Sequence, residues 1–178
     1  LAFLNSLNLI SLKPFLYICN VDEKSIFHGN NLSKLVQEKA KKNNHDSVIV
    51  SALIESQFIE LENHNDRIEL LKELGINDTT LKKVITAGYN LLDLINYFTC
   101  EPKETKSWTI KKNTLAPQAA GKIHSDFEKG FIRAETISYN DFIEFKGENA
   151  CREAGKLRQE GKDYKVKDGD VINFLFNV

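Results

Sequence analysis

The chain has 178 residues, and its 24 basic and 25 acidic side chains give a formal net charge of −1. This balance excludes a polycation that binds nucleic acid through bulk charge, and no sequence-specific recognition of DNA is expected. No apolar run approaches the roughly 20 residues that a membrane span requires.

The cysteines and the start of the chain indicate where the protein works. Three widely spaced cysteines without a Cys-x-x-Cys pair argue against a zinc site or a disulfide framework and favour reduced thiols in the cytoplasm. The first ten residues lack the basic front of a signal peptide. Since the sequence contains no methionine, even at position 1, we expect it to begin inside a longer protein.

The first part of the chain has the pattern of a strand, a helix and a second strand. The apolar run 14–19 predicts a strand buried on both faces, apolar residues at helical spacing over 32–40 predict a crossover helix, and Val48–Val50 predicts a second strand. Ligands of such parallel sheets bind beyond the carboxyl ends of the strands. Asn20 and Ser51 both fall there.

Helical periodicity continues to about residue 96, with Gly75 as a helix stop. We therefore predict an α/β unit over residues 1–93 and a separate unit over residues 94–178. A parallel sheet with few strands exposes an unpaired edge, so residues 1–93 are expected to be marginally stable or self-associating and residues 94–178 to be stable alone.

The second part has the strand and helix order of an α+β fold. Segments 97–99 and 107–110 predict a hairpin around the polar turn 101–104. A helix is predicted to begin at Pro117 and to end at Gly130, in the left-handed position that follows many helices. The remaining segments predict a strand that extends to residue 139, then strands over 164–166 and 171–176 around a tight turn at Asp168-Gly169. This is the β-grasp order.

Two polar clusters in this part invite functional interpretations. His124, Ser125, Asp126 and Glu128 could form a metal or acid–base cluster, but metal sites need three or four converging ligands, and local backbone bonding with a packed His124 is favoured instead. A second set could bind RNA phosphates, or could be only a solvated surface. It contains Trp108, Lys111, Lys112, Arg152, Lys156, Arg158, Lys162, Tyr164, Lys165 and Lys167.

Several long motifs, in order, carry a resemblance to a known family. They are Pro117-Gln-Ala-Ala-Gly121, Ile123-His-Ser-Asp-Phe-Glu128, Gly130-Phe-Ile-Arg-Ala-Glu135, Arg152-Glu-Ala-Gly-Lys156, Glu160-Gly-Lys-Asp-Tyr164 and Asp168-Gly-Asp-Val171. These residues resemble the C-terminal TGS domain of the YchF-like, Obg-related P-loop NTPases. The resemblance extends over essentially the whole chain. It implies the C-terminal end of a P-loop nucleotide-binding domain followed by a TGS domain of β-grasp fold.

The resemblance gives the segment Asn20-Val21-Asp22-Glu23 a specific meaning. P-loop GTPases carry Asn-Lys-x-Asp at this position, where the Asn braces the loops, the Lys stem covers the base and the Asp binds guanine. Here the Lys position is Val21 and the Asp position is Glu23, a variant that YchF-like proteins share. It implies tolerance of adenine or preference for it, hence ATP over GTP. The alternative from the residues alone is that Asn20 and Ser51 are ordinary turn and cap residues.

The expected nucleotide contacts are Asn20, Val21, Glu23, Ser51, Ala52 and Leu53, with backbone N–H groups of Ser51 and Ala52 near the base. The phosphate side differs, because none of the three Gly-Lys pairs is followed by Ser or Thr as a phosphate-binding loop requires. The resemblance places that loop and the Mg²⁺ groups upstream of residue 1. We therefore expect no catalytic residue, no metal site and no hydrolysis by this chain alone, although the intact protein would hydrolyse ATP or GTP.

The resemblance also implies partners, because YchF-like proteins are associated with ribosomes. The ribosome or RNA is therefore the expected partner, bound through the TGS domain. Two rival interpretations remain at this stage. One is a stand-alone β-grasp module that binds protein or RNA without any nucleotide, and the other is a small-ligand regulatory domain with its ligand near His124.

Overall fold

The computed structural model describes residues 6–76, 79–101 and 104–177. The chain divides into two compact units, Leu1–Leu92 and Asp93–Val178. No helix in the described part combines the length and the apolar character needed to cross a membrane.

The first unit is a two-stranded parallel sheet with helices. Its elements are β1 (Tyr17–Asn20), α1 (Asn31–Lys42), β2 (Ser47–Val50), α2 (Ala52–Glu60), α3 (His64–Glu73) and α4 (Thr80–Leu91). The strands pair in parallel from Tyr17 opposite Ser47 to Asn20 opposite Val50. The predicted strand, helix, strand order is therefore confirmed, and the carboxyl ends of β1 and β2 lie side by side.

Local chemistry explains where α1 begins and where α3 ends. Asn30 caps α1 through a reciprocal pair, in which its Oδ1 accepts from the Ser33 N–H at 2.9 Å and its own N–H donates to Ser33 Oγ at 2.8 Å. Gly75 follows α3 with φ of +66°, a conformation in which a glycine carries no steric penalty. The prediction of a helix stop at Gly75 is confirmed.

The core of the first unit is a small cluster of apolar side chains, to which Ile49 of β2 contributes. Ile26, Ile54, Phe58 and Ile76 form its buried centre. The prediction that the first strand is buried on both faces is wrong, because Ile18 is 53% exposed. The apolar stripe of α1 is also partly open, since Leu32 is 74% and Leu35 62% exposed.

The second unit is a mixed five-stranded sheet with helices. Its elements are β3 (Leu94–Glu101), β4 (Glu104–Lys111), α5 (Ala116–Ile123), α6 (Ser125–Lys129), β5 (Phe131–Ile137), α7 (Tyr139–Glu144), α8 (Glu148–Glu153), β6 (Arg158–Glu160) and β7 (Val171–Phe176). The strand order is β4-β3-β7-β5-β6, in which β3 and β7 are parallel and the other pairs antiparallel. The predicted hairpin is confirmed as β3 and β4, and Pro102 and Lys103 of its turn lie outside the described residues.

Helix α5 packs on one face of this sheet through its smallest side chains. Ala116, Ala119 and Ala120 are fully buried, and they share a core with Ile95, Ile110, Ala134, Ile172 and Phe174. The Tyr97 hydroxyl, also fully buried, donates to the Ala119 carbonyl at 2.8 Å. The short alanine side chains bring the helix backbone within reach of this strand hydroxyl.

Three details of the second unit differ from the sequence-based predictions. The predicted helix from Pro117 to Gly130 is broken at His124, whose extended backbone (φ −156°, ψ 142°) caps α6. Gly130 has φ of −89°, so it is not left-handed. A Cβ there would overlap the Asn177 carbonyl, and close backbone contact is the reason for the glycine. Beyond Ile137 the chain turns into α7, since Ser138 caps that helix.

The segment 164–166 is also not a strand. It contributes only an isolated antiparallel bridge between Lys165 and Leu115. The predicted tight turn at Asp168-Gly169 is present, with Gly169 at φ of +80°. Its N–H donates to the Asn96 carbonyl, and Asp168 Oδ1 accepts from the Asn96 N–H at 2.8 Å, which ties the turn to β3.

Candidate functional site

The carboxyl ends of β1 and β2 bring together two loops that are far apart in sequence. Asn20, the last residue of β1, accepts at Oδ1 from the N–H of Ala52 at 3.0 Å. Ala52 is the first residue of α2, whose first-turn N–H groups have no acceptor within the helix. Asn20 therefore satisfies one of these groups and joins the two loops, which is more than an ordinary turn residue does.

The loop after Asn20 is shaped by Asp22 and held by Gln57. Asp22 caps the short 3₁₀ turn Glu23–Ser25 by accepting from the Ser25 N–H at 3.0 Å. Glu23 opens that turn, is exposed, and accepts at Oε1 from Gln57 Nε2 of α2 at 3.1 Å. The Glu23 carboxylate therefore lies beside the second turn of α2, and its second oxygen can accept further hydrogen bonds.

The other predicted site residues differ in accessibility. Leu53 is 56% exposed, whereas the Val21 side chain is only 7% exposed and its N–H donates to the Val50 carbonyl. Ser51 is fully buried, and its Oγ has no hydrogen-bond partner. The N–H of Ala52 is already bonded to Asn20. The structure therefore leaves Glu23 and Leu53 accessible to a ligand, and it encloses Val21 and Ser51.

These residues present polar and apolar groups at the carboxyl ends of β1 and β2. A carboxylate accepts hydrogen bonds from amino groups, the carboxamide of Asn20 keeps its NH₂ donors, and Leu53 offers an apolar surface. A buried polar atom without a partner, such as Ser51 Oγ, is unusual in a folded protein. Sequence reasoning did not identify Gln57, because a polar residue on a helix gives no signal that it orients a carboxylate 34 positions away.

The predicted cluster around His124 is a local cap. His124 Nδ1 accepts from the Asp126 N–H at 3.2 Å, and the His124 side chain is 60% exposed. The sequence favours local backbone bonds made by Ser125 or Asp126, whereas the side chain that caps α6 is His124. The expectation that His124 packs is wrong, because its ring caps α6 from the surface. Across residues 6–76, 79–101 and 104–177, no group of three or more His, Cys, Asp or Glu side chains could hold a metal ion.

The predicted basic surface separates into paired and open side chains. Arg152 contacts Glu135 and Glu148, Lys156 contacts Asp141, and Arg158 contacts Glu160 and Asp170. These contacts neutralise three members of the predicted set.

The aromatic members of that set are engaged as well. The Trp108 Nε1–H donates to Thr99 Oγ1 at 3.0 Å, and the Tyr164 hydroxyl donates to Asp170 Oδ2 at 2.7 Å. Lys162, Lys165 and Lys167 are exposed and make no side-chain ion pair among the described residues. Lys112 of this set is likewise exposed.

Comparison with known proteins relates the chain to one family. Residues 94–177 match the family model YchF-GTPase_C, which is described as a protein of unknown function (DUF933). The chain is 52% identical over 177 residues to "Ribosome-binding ATPase YchF" of Escherichia coli O157:H7, which covers 99% of this chain and 48% of that protein. The chain is a homologue of the YchF ATPases.

Other YchF proteins show the same extent of similarity. The Bacillus subtilis "Ribosome-binding ATPase YchF" is 47% identical over 174 residues, which is 97% of this chain and 47% of that protein. The solved Schizosaccharomyces pombe YchF GTPase has a TM-score of 0.85 at 38% identity, covering 98% of this chain and 46% of that one. The chain therefore spans about half the length of the YchF proteins it matches, and both of its units lie within the matched region.

Proposed function

We propose that this chain is the C-terminal part of a YchF-type, nucleotide-binding protein of the cytoplasm that acts in translation. Residues 1–93 would form the base-recognition end of a P-loop domain, and residues 94–178 would form a TGS domain. Identity of 52% across 99% of the chain supports this reading. Catalysis would depend on phosphate and Mg²⁺ groups outside these residues.

The observation that carries the nucleotide proposal is the bond between Asn20 and Ala52. It connects the ends of two neighbouring parallel strands, the edge of such sheets where ligands bind. Glu23 lies in the loop that follows Asn20 and is held to α2 by Gln57. Asn20 and Ser51 would act by holding the two loops together. Glu23 and Leu53 would contact the base.

Base selection would follow from the length of the Glu23 side chain. When bound, the nucleotide presents an amino group on adenine, and a carboxylate can accept from it. The shorter Asp of the guanine-binding motif pairs with two donors on guanine, and a longer side chain held by Gln57 would not reproduce that pairing. Because unpaired buried polar groups cost a site much of its affinity, ATP is favoured over GTP.

A test of the loop contact is calorimetric ATP binding to the full-length protein that contains this chain, with Asn20→Ala beside wild type. Loss of one hydrogen bond that orders the loops should weaken binding by roughly two- to tenfold. Asn65→Ala, an exposed asparagine of α3, is the matched control. If Asn20→Ala and Asn65→Ala bind ATP with equal affinity, the base site lies elsewhere.

The exposure of Ile18, Leu32 and Leu35 supports the proposal that the first unit is part of a larger domain. Large apolar side chains cluster on surfaces that bind other surfaces, and β1 has an open edge. We expect amide protons of β1 and β2 in the isolated chain to exchange faster than those of β3 and β7. Equal protection of both units in a monomer would contradict this expectation.

The TGS assignment rests on the order of elements in the second unit. The second unit has a hairpin, a helix packed across the sheet, and a last strand parallel to the first. This is the arrangement expected of a β-grasp fold. The ribosome or RNA is the proposed partner, and Lys162, Lys165 and Lys167 are the candidate phosphate contacts.

Ribosome co-sedimentation at increasing salt tests this surface. Replacing all three lysines by alanine should weaken binding and flatten its salt dependence, because each phosphate contact contributes to the slope. Replacement of Lys39, Lys41 and Lys42 on α1 gives a control with the same change in charge. If both triple variants bind alike, the proposed surface is wrong.

A second candidate is a stand-alone β-grasp module that binds protein or RNA without a nucleotide. The separate hydrophobic core of the Asp93–Val178 unit favours it. Retention of ribosome binding by the full-length protein after loss of ATP binding in the Asn20→Ala variant would support this candidate.

A further inference from the structure

A groove on the second unit lies outside both surfaces described above. Its volume is about 400 Å³, and it is lined by side chains of β3, β4, β7, α5 and α6. Side chains alternate between the faces of a strand, so Glu104, Lys106 and Trp108 share the face on which Ile110 is buried in the core.

The inner part of the groove is aromatic. Trp108 lines it from β4, and Phe127 of α6 stacks on Phe176 of β7 with a centroid distance of 3.8 Å and an interplanar angle of 26°. Ile123 and Phe174 complete this apolar lining. The groove therefore offers aromatic surface to a planar or cationic group.

The outer part of the groove carries an excess of negative charge. Glu101 lies directly opposite Glu104 in the antiparallel register, an arrangement of like charges that is unfavourable in a sheet. Lys106 Nζ contacts Glu104 Oε2 at 2.9 Å, and Glu101 makes no ion pair among the described residues. Two carboxylates and one ammonium leave one negative charge beside the aromatic surface.

We propose that this groove binds an arginine side chain presented by a polypeptide partner. A guanidinium is planar, stacks on aromatic rings and donates in pairs to carboxylates. It would lie against Trp108 and Phe127 and pair with Glu101 and Glu104. Nucleic acid fits this groove less well, because its phosphates would meet the two carboxylates. The proposal does not depend on nucleotide binding by the first unit.

The test uses the fluorescence of Trp108, which is the only tryptophan of the chain. The 178-residue chain is titrated with the tripeptide acetyl-Gly-Arg-Gly-amide, and in parallel with the same peptide carrying citrulline, which has the shape of arginine without its charge. We expect a saturable change in Trp108 emission with the arginine peptide. The citrulline peptide should bind about tenfold more weakly, since it lacks the cation that the rings and carboxylates recognise.

Charge variants should change the affinity for the arginine peptide in opposite directions, which a purely structural role of these residues would not produce. Glu101→Gln should weaken binding of the arginine peptide about threefold, and Lys106→Gln should strengthen it by a similar factor, because a partly exposed ion pair has a modest energy. Lys112→Gln changes charge to the same extent outside the groove and should leave affinity unchanged. Circular dichroism checks that each variant is folded.

Three outcomes would overturn the proposal. The first is equal binding of the arginine and citrulline peptides, and the second is a Lys106→Gln variant that binds more weakly than wild type. The third is a larger Trp108 response to a short single-stranded RNA than to the arginine peptide, which would identify the groove as a base-stacking surface.

Discussion

The hydrogen bond between the half-buried Tyr164 and the buried Asp170 gives a prediction whose magnitude follows from the structure. Asp170 is 2% exposed and accepts at Oδ2 from the Tyr164 hydroxyl at 2.7 Å and from the Lys167 N–H at 2.9 Å. Burial first, and then the hydrogen bond to Asp170, raise the pKa of the Tyr164 phenol. The phenol therefore stays a donor, and Tyr164→Phe removes one of two close hydrogen bonds to a buried carboxylate.

The expected loss in the free energy of unfolding is about 1.5–2 kcal/mol, the lower part of the range for hydrogen bonds to charged groups, because the Lys167 N–H remains. For a domain of this size the unfolding midpoint should fall by about 6–16 °C. The assay is urea and thermal unfolding of the second unit, followed by the emission of Trp108. Tyr139→Phe, at a tyrosine that is 51% exposed, is the matched control.

A double-mutant cycle separates this contact from other effects. Tyr164→Phe should cost little in an Asp170→Asn background, since the charged acceptor is then absent. The reasoning is refuted if Tyr164→Phe changes the free energy of unfolding by no more than Tyr139→Phe does. It is also refuted if Tyr164→Phe leaves stability unchanged and weakens RNA binding, because Tyr164 would then be a stacking surface.

Three further predictions concern the second unit. Tyr97→Phe leaves the Ala119 carbonyl without its buried partner and should lower the free energy of unfolding by about 1–2 kcal/mol in urea titrations. Gly130→Ala places a Cβ against the Asn177 carbonyl, so it should lower the thermal midpoint, even though replacing glycine by alanine otherwise stabilises a protein by reducing the entropy of the unfolded chain. Hydrogen bonds from Ser138 and then Lys156 lower the pKa of Asp141 from 3.8. The ionised Asp141 therefore stabilises the fold fully above pH 3.8, and this stabilisation is lost as the pH falls through the lowered pKa. The difference in stability between wild type and Asp141→Asn should disappear over the same range.

Much of the fold is predictable because its signals are local. Alternating and continuous apolar runs predict the strands, and Gly75 predicts the end of α3. The break at His124 is not visible in the sequence, because a histidine that caps the next helix has no periodic signature. The role of Gly130 is equally hidden, since it depends on a backbone that returns at Asn177, far along the chain.

The candidate site shows the same division between local and long-range information. Asn20 and Ser51 are predictable, because a polar residue directly after a buried run marks the end of a strand. The Asn20–Ala52 bond follows from the parallel pairing of those strands. The enclosure of Ser51 and the contact of Gln57 with Glu23 are set by the packing of α2, which no residue pattern specifies.

The burial of β1 shows where a sound rule gave a wrong prediction. A continuous apolar run is typical of a strand covered on both faces, yet Ile18 is 53% exposed among the described residues. The run therefore contains more apolar side chains than this two-stranded sheet buries. The proposed larger domain would account for the difference, and the hydrogen-exchange experiment tests it.

The central claim is that Glu23 selects the base of a bound nucleotide. Its most direct test is calorimetric binding of ATP and GTP to the full-length protein, with Glu23→Asp beside wild type and Glu62→Asp as a control on the same unit. The account predicts that wild type and Glu62→Asp prefer ATP and that Glu23→Asp loses this preference. If Glu23→Asp keeps the wild-type preference, or if the wild type does not discriminate, Glu23 does not read the base.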